Sequence, residues 1–79
     1  MTIEHDSYID GAFKGWTGRG TYVLVDGSAW SQVNYLYQYQ YLYRPRARVI
    51  TDRGRTYLEV EGMAERVEVR RVSRPNDPR

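Results

Sequence analysis

Glu59 and Glu61 lie two residues apart in the alternating run from Thr56 to Glu61. On a strand that spacing puts both carboxylates on one face, where a close pair can share acid and base duties. A row of solvated surface charges accounts for them more simply. Other reactive groups are scarce. The chain has no cysteine, and its one histidine, His5, cannot build a metal site alone. No G-x-x-x-x-G-K-[ST] or G-x-S-x-G run occurs, and Gly18-x-Gly20 lacks the following helix that a dinucleotide site requires. The expectation is a protein that is not an enzyme, with no catalytic residue, no metal and no cofactor. One escape remains: a homo-oligomer can build a shared pore whose active site needs no catalytic acid or base of its own; binding of a small ligand at an oligomer interface is a further alternative.

Arginine outnumbers lysine eleven to one. Its planar fork suits phosphate and stacks on rings, although a GC-rich genome gives the same bias. Arg44, Arg46, Arg48, Arg53 and Arg55 fall in one short stretch and would make a basic strand edge for single-stranded nucleic acid. Against that reading, the aromatic residues are segregated from these cations, and Glu59, Glu61 and Glu68 are available to pair with them. The net charge is +2, unevenly spread. Residues 1–43 carry two cations against four carboxylates, and residues 44–79 carry ten arginines against six carboxylates.

The strongest pattern is aromatic. Tyr35, Tyr37, Tyr39, Tyr41 and Tyr43 recur at every second residue. A period of two belongs to a strand, whose side chains alternate between faces, and tyrosine favours strands. Extended over residues 33–43, such a strand would span about 36 Å at ~3.3 Å per residue. A compact chain of this length has a diameter of about 30 Å. The strand must therefore bend, pass between two sheets near Val33-Asn34, or project into a partner. Three readings of the row stand open: a wall of the core, a surface through which copies associate, or a platform on which a ligand stacks. Five buried rings would account for ~750 Å², close to one partner's share of an ordinary interface. The stretch is uncharged and free of proline until Arg44-Pro45-Arg46 ends it.

The elements that must position these residues are short. Residues 1–7 are polar and aperiodic and read as a flexible tail. Asp10 to Thr17 is the first strand candidate, with Gly11, Phe13 and Gly15 on one face and Ala12, Lys14 and Trp16 on the other. Thr21 to Val25 follows, then a two-residue type I′ turn at Asp26-Gly27, then Ser28 to Gln32. Trp30 and Leu24 are core candidates. After the tyrosine strand come Ala47 to Thr51, a tight turn at Asp52-Arg53-Gly54-Arg55, Thr56 to Glu61 and Arg66 to Val72. Leu58, Val60, Val67 and Val69 should face inward, and the Arg70-Arg71 doublet should bring a bulge or the end of pairing. Residues 73–79 read as a disordered tail. The sum is one all-β domain over residues 8–72, a small SH3-like or OB-like barrel of about five to six antiparallel strands with one long tyrosine-rich strand.

Phe13, Gly15, Trp16, Tyr22, Leu24, Gly27, Trp30, Gln32, the tyrosine row and Pro45 together resemble a group of small uncharacterised bacterial proteins, some carried on integron mobile gene cassettes. The resemblance covers about half the chain and departs at Ala47, where that group more often has a larger apolar residue. It implies a small β-barrel and no particular activity. The composition offers neither disulfides nor a membrane span, so self-association is the readiest source of stability for so small a domain. The expected setting is cytoplasmic and the expected partner a second copy of the chain, with nucleic acid as the alternative.

Overall fold

The computed structural model describes residues 1–72. Among them the chain forms no helix and eight strands: β1 (Thr2–Tyr8), β2 (Ala12–Gly18), β3 (Thr21–Val23), β4 (Ala29–Gln32), β5 (Leu36–Tyr43), β6 (Arg46–Asp52), β7 (Arg55–Val60) and β8 (Val67–Val72). Six make one antiparallel sheet in the order β1-β6-β7-β8-β4-β3, and β2 and β5 pair with each other as a separate ribbon. The all-β expectation holds, with eight strands in place of five to six.

Strand β8 joins the two halves of the sheet. Its first part pairs with β7, Leu58 opposite Val67, and its second part with β4, from Gln32 opposite Val69 to Ala29 opposite Val72. The outer edges of the sheet meet at one antiparallel bridge between Ile9 and Leu24. Asp10 N–H donates to the Val23 carbonyl at 2.9 Å there, and Val25 N–H to the Tyr8 carbonyl at 2.8 Å. Alternation along β6, β7 and β8 turns Ala47, Val49, Leu58, Val60, Val67 and Val69 into one core, which Leu24 and Trp30 join as expected.

Phe13 and Trp16 complete this core from the ribbon, and here the expected faces are corrected. Between the pairs Phe13–Leu42 and Trp16–Gln38, three steps along β2 match four along β5. Gly15 sits inside this slip with a φ of 86°. The chain turns over there, so Phe13 and Trp16 both point inward and their rings meet edge to face at 5.3 Å. A Cβ at Gly15 would overlap the Gln38 carbonyl oxygen and lie 2.7 Å from the Gln40 amide nitrogen. Only glycine fits.

Other expectations are also corrected. Residues 1–7 are not a tail, since β1 runs beside β6 from Thr2–Thr51 to Tyr8–Arg46. Both faces of β1 are largely exposed, so no apolar alternation marked it. Backbone pairing and cross-strand contacts hold it instead: the Arg46 guanidinium forks onto Asp6 at 2.9 and 2.7 Å, and the Thr51 hydroxyl donates to Glu4 at 3.2 Å. The turn after β3 is a three-residue loop, Val25-Asp26-Gly27, in which only Gly27 has a positive φ. Asp26 there accepts from the Ser28 amide and hydroxyl, at 2.9 and 2.7 Å, the short-range capping typical of aspartate in turns. Arg70-Arg71 causes no slip. Pairing with β4 continues to Val72, and the Arg71 guanidinium lies 5.8 Å from the centre of the Trp30 ring. The expected tail, residues 73–79, lies outside the described residues.

Candidate docking surface

The run 33–43 is not one strand. Residues 33–35 cross from the six-stranded sheet to the ribbon, one of the three outcomes that the excess length allowed. Val33 N–H donates to the Glu68 carbonyl at 2.8 Å and Glu68 N–H donates to Asn34 Oδ1 at 3.0 Å, which pins the crossing to β8.

A buried polar relay then fixes the ribbon to the sheet. Thr17 N–H donates to the Tyr22 hydroxyl at 3.0 Å, that hydroxyl donates to Gln32 Oε1 at 2.8 Å, and Gln32 Nε2 donates to the Leu36 carbonyl at 3.1 Å. Two side chains thereby tie β2, β3, β4 and β5 together. Each interior group has a partner, as burial demands. Below the ribbon, the fully buried Trp16 donates its indole N–H to the Glu65 carbonyl at 3.3 Å, and Leu36 and Leu42 pack on the core.

The tyrosines stand outside. Tyr35, Tyr37, Tyr39, Tyr41 and Tyr43 are 54–71 % exposed. The core-wall reading is therefore wrong. Phe13, Trp16, Leu36 and Leu42 already cover the core on the inner side of the ribbon, and the tyrosines occupy the alternate positions of β5. Residues 11–20 and 33–44 contain Lys14, Arg19 and Arg44 and no carboxylate.

The five arginines expected as a basic edge are not free together. Arg46 is held by Asp6 at 2.7 Å, Arg48 by Glu59 at 3.3 Å and Arg55 by Glu68 at 3.2 Å. Arg44 and Arg53, without an acidic partner among the described residues, lie beyond opposite ends of β6. Glu59 is spent on Arg48, so Glu59 and Glu61 do not act as an isolated carboxylate pair. Both line an open cleft of about 570 Å³ beside Arg46, Arg48, Met63 and Arg66. Arg66 there lies 4.0 Å over the Tyr57 ring and 3.5 Å from Asp52.

One polar cluster was not foreseen, because His5 lies far in the chain from Asp26, Ser28 and Trp30. His5 Nδ1–H donates to Asp26 Oδ2 at 2.8 Å, Ser28 Oγ–H to Asp26 Oδ1 at 2.7 Å, and Trp30 Nε1–H to Ser28 Oγ at 2.9 Å. His5 also meets Trp30 edge to face at 5.4 Å. The residue types are those of a hydrolase triad, but the arrangement differs. The serine proton goes to the carboxylate and not to the imidazole, and the buried hydroxyl is already engaged twice. The cluster works as a clasp between β1 and the loop before β4.

No protein-family model, curated protein or solved structure matched the chain.

The clasp has a pH signature. Burial pushes the Asp26 carboxyl up, but the Ser28 hydroxyl and amide and the His5 ring outweigh it and hold the group below the usual carboxylate range. A carboxyl lowered in the folded state stabilises that state above its unfolded pKa and loses the effect as pH falls through the folded value. Asp26→Asn should therefore melt below the parent chain near neutral pH. The gap in melting temperature should close as pH drops below about 4. A gap that stays constant across this titration would remove the carboxylate's role.

Proposed function

We propose that this chain is a homo-oligomerising interaction module that docks through its tyrosine ribbon. One observation carries the reading: five tyrosines of one row, four on a ribbon outside the main sheet and Tyr35 on the crossing that leads into it, are all more than half exposed. At ~150–250 Å² per side chain, their exposed share is roughly 500–800 Å². Single chains rarely leave so large an aromatic patch in water, and an ordinary interface takes about 800 Å² from each partner. The acidic residues are excluded from the ribbon, which is consistent with a surface that loses water on docking. We read the underlying scaffold as a small SH3-like or OB-like barrel. The Ile9–Leu24 bridge supports that reading by linking the outer edges of the sheet.

The test is sedimentation of the purified chain. Replacing Tyr37, Tyr39 and Tyr41 together by serine should lower the association state while circular dichroism stays that of the parent. An unchanged assembly would remove the ribbon as the docking surface. The competing occupant is single-stranded nucleic acid, which would stack on the same rings beside Lys14, Arg19 and Arg44. That reading requires oligonucleotide binding that weakens linearly in log[salt]. A flat titration at low salt would remove it.

A further inference from the structure

Resting on that reading, we infer that the second copy docks on the free edge of β5, antiparallel, so that two ribbons fuse into one four-stranded sheet. The backbone directions supply the first argument. Arg44 N–H donates to the Gly11 carbonyl at 3.0 Å, and the atoms of β5 nearest the Gly15 position are Gln38 O and Gln40 N. The even-numbered residues thus direct their backbone groups to β2. By the alternation of antiparallel pairing, the N–H and C=O groups of Tyr37, Tyr39, Tyr41 and Tyr43 point to the other side. No strand pairs with β5 there among the described residues.

The second argument comes from comparing the free edges. Soluble proteins blunt such edges with charge, proline, bulges or short strands. β1 carries Glu4, His5 and Asp6; β3 has three residues; β2 carries Lys14, opposite which the extra residue of the slip lies in β5 at Gln40-Tyr41. β5 runs for eight residues, LYQYQYLY, without charge or proline. It has the composition of a strand meant to be covered. A two-stranded ribbon is also marginal alone, and four strands are not.

Charge sets the direction. Arg44 follows β5 directly. In a parallel, in-register pair the two Arg44 side chains would lie about 4.8 Å apart, and like charges facing each other are unfavourable. In an antiparallel pair with its two-fold axis at Gln40, Tyr37 faces Tyr43 of the second copy and Tyr39 faces Tyr41. The two Arg44 residues then stand roughly 27 Å apart, well beyond the screening length of about 8 Å at physiological salt. The side-chain period of two keeps all the tyrosines of both copies on one face.

The chain has no cysteine, which gives a clean test by single-cysteine variants. At a non-hydrogen-bonded antiparallel pair the Cα atoms lie about 4.5 Å apart, within disulfide reach. Gln40→Cys should cross-link to a dimer on mild oxidation and Gln38→Cys, which leaves Arg44 in place and would stand about 14 Å from its counterpart, should not. Equal cross-linking at both positions would overturn the antiparallel register in favour of a parallel one. In parallel, Tyr41→Pro removes an outward N–H and the ring, whereas Tyr41→Ser removes only the ring. Proline should weaken association at least tenfold beyond serine, with the dichroism spectrum retained. Should the proline variant not fold, the cross-linking pair decides alone. No cross-link at Gln40, with association still lost in the triple tyrosine variant, would overturn edge pairing and leave docking by the tyrosine face. Association that survives the triple variant would overturn the underlying reading as well.

Discussion

Gly15→Ala should be among the most damaging single substitutions in this chain. The new Cβ would meet two backbone atoms, the Gln38 carbonyl oxygen and the Gln40 amide nitrogen, and neither can rotate away. A positive φ of 86° adds about 1–2 kcal/mol for any residue with a Cβ. Steric overpacking of a tight site adds about 1–3 kcal/mol more. A loss of roughly 3 kcal/mol is a large part of the 5–15 kcal/mol by which domains are stable, and it should lower the melting temperature by at least about 12 °C. Gly11→Ala separates the two contributions, because Gly11 also has a positive φ but nothing within 4 Å of its Cβ position. It should lose only the conformational part. Equal melting temperatures for the two variants would mean that β5 does not lie against Gly15 as described. Sedimentation adds a second readout, since a ribbon forced apart at Gly15 cannot present the tyrosine row as one surface.

Trp16→Ala should do comparable harm by a different route. Trp16 is fully buried, meets Phe13 and Tyr22 edge to face at 5.3 and 5.4 Å, and donates to the Glu65 carbonyl. Truncating a buried tryptophan costs about 3–5 kcal/mol, from lost burial and from the cavity left behind. The expected fall in melting temperature is at least about 12 °C. Tyr41→Ser, on the exposed face of the same ribbon, should change the melting temperature of the dissociated chain by little, because exposed positions usually count for less than about 0.5 kcal/mol. A Trp16→Ala variant as stable as Tyr41→Ser would show that the ribbon does not seal the core. The contrast separates what holds the ribbon in place from what the ribbon presents.

The strands that sequence revealed are those that bury one face. Leu58 and Val60, or Val67 and Val69, alternate cleanly because water is on one side and the core on the other. β1 has water on both sides, so its residues carry no such record. Its order comes from β6, about forty residues away, and from pairs such as Asp6–Arg46 that local patterning cannot anticipate. The same distance hid the fate of one arginine. Arg48 and Arg55 take Glu59 and Glu68, two of the carboxylates that sequence offered as partners, whereas Arg46 takes Asp6, forty residues away, which it did not. Phe13 and Trp16 were placed on opposite faces because alternation was carried straight through Gly15, and a single positive φ cancels that rule. The tyrosine row was plain as a row. Which side of it would be wet depended on whether something else sealed the core, and Phe13 and Trp16 do so.

Strand β8 gives the architecture an order in time. β7 and β4 are joined only through it, each taking a different part of its length. During synthesis, β5 is therefore complete before β6, β7 and β8 exist, and of the contacts that close the sheet only the Ile9–Leu24 bridge can already form. For that interval the stickiest segment of the polypeptide is shielded by little except the arginine and proline at its end. A released chain truncated before Val67, with β5 complete and β8 missing, should coalesce more readily than the full chain.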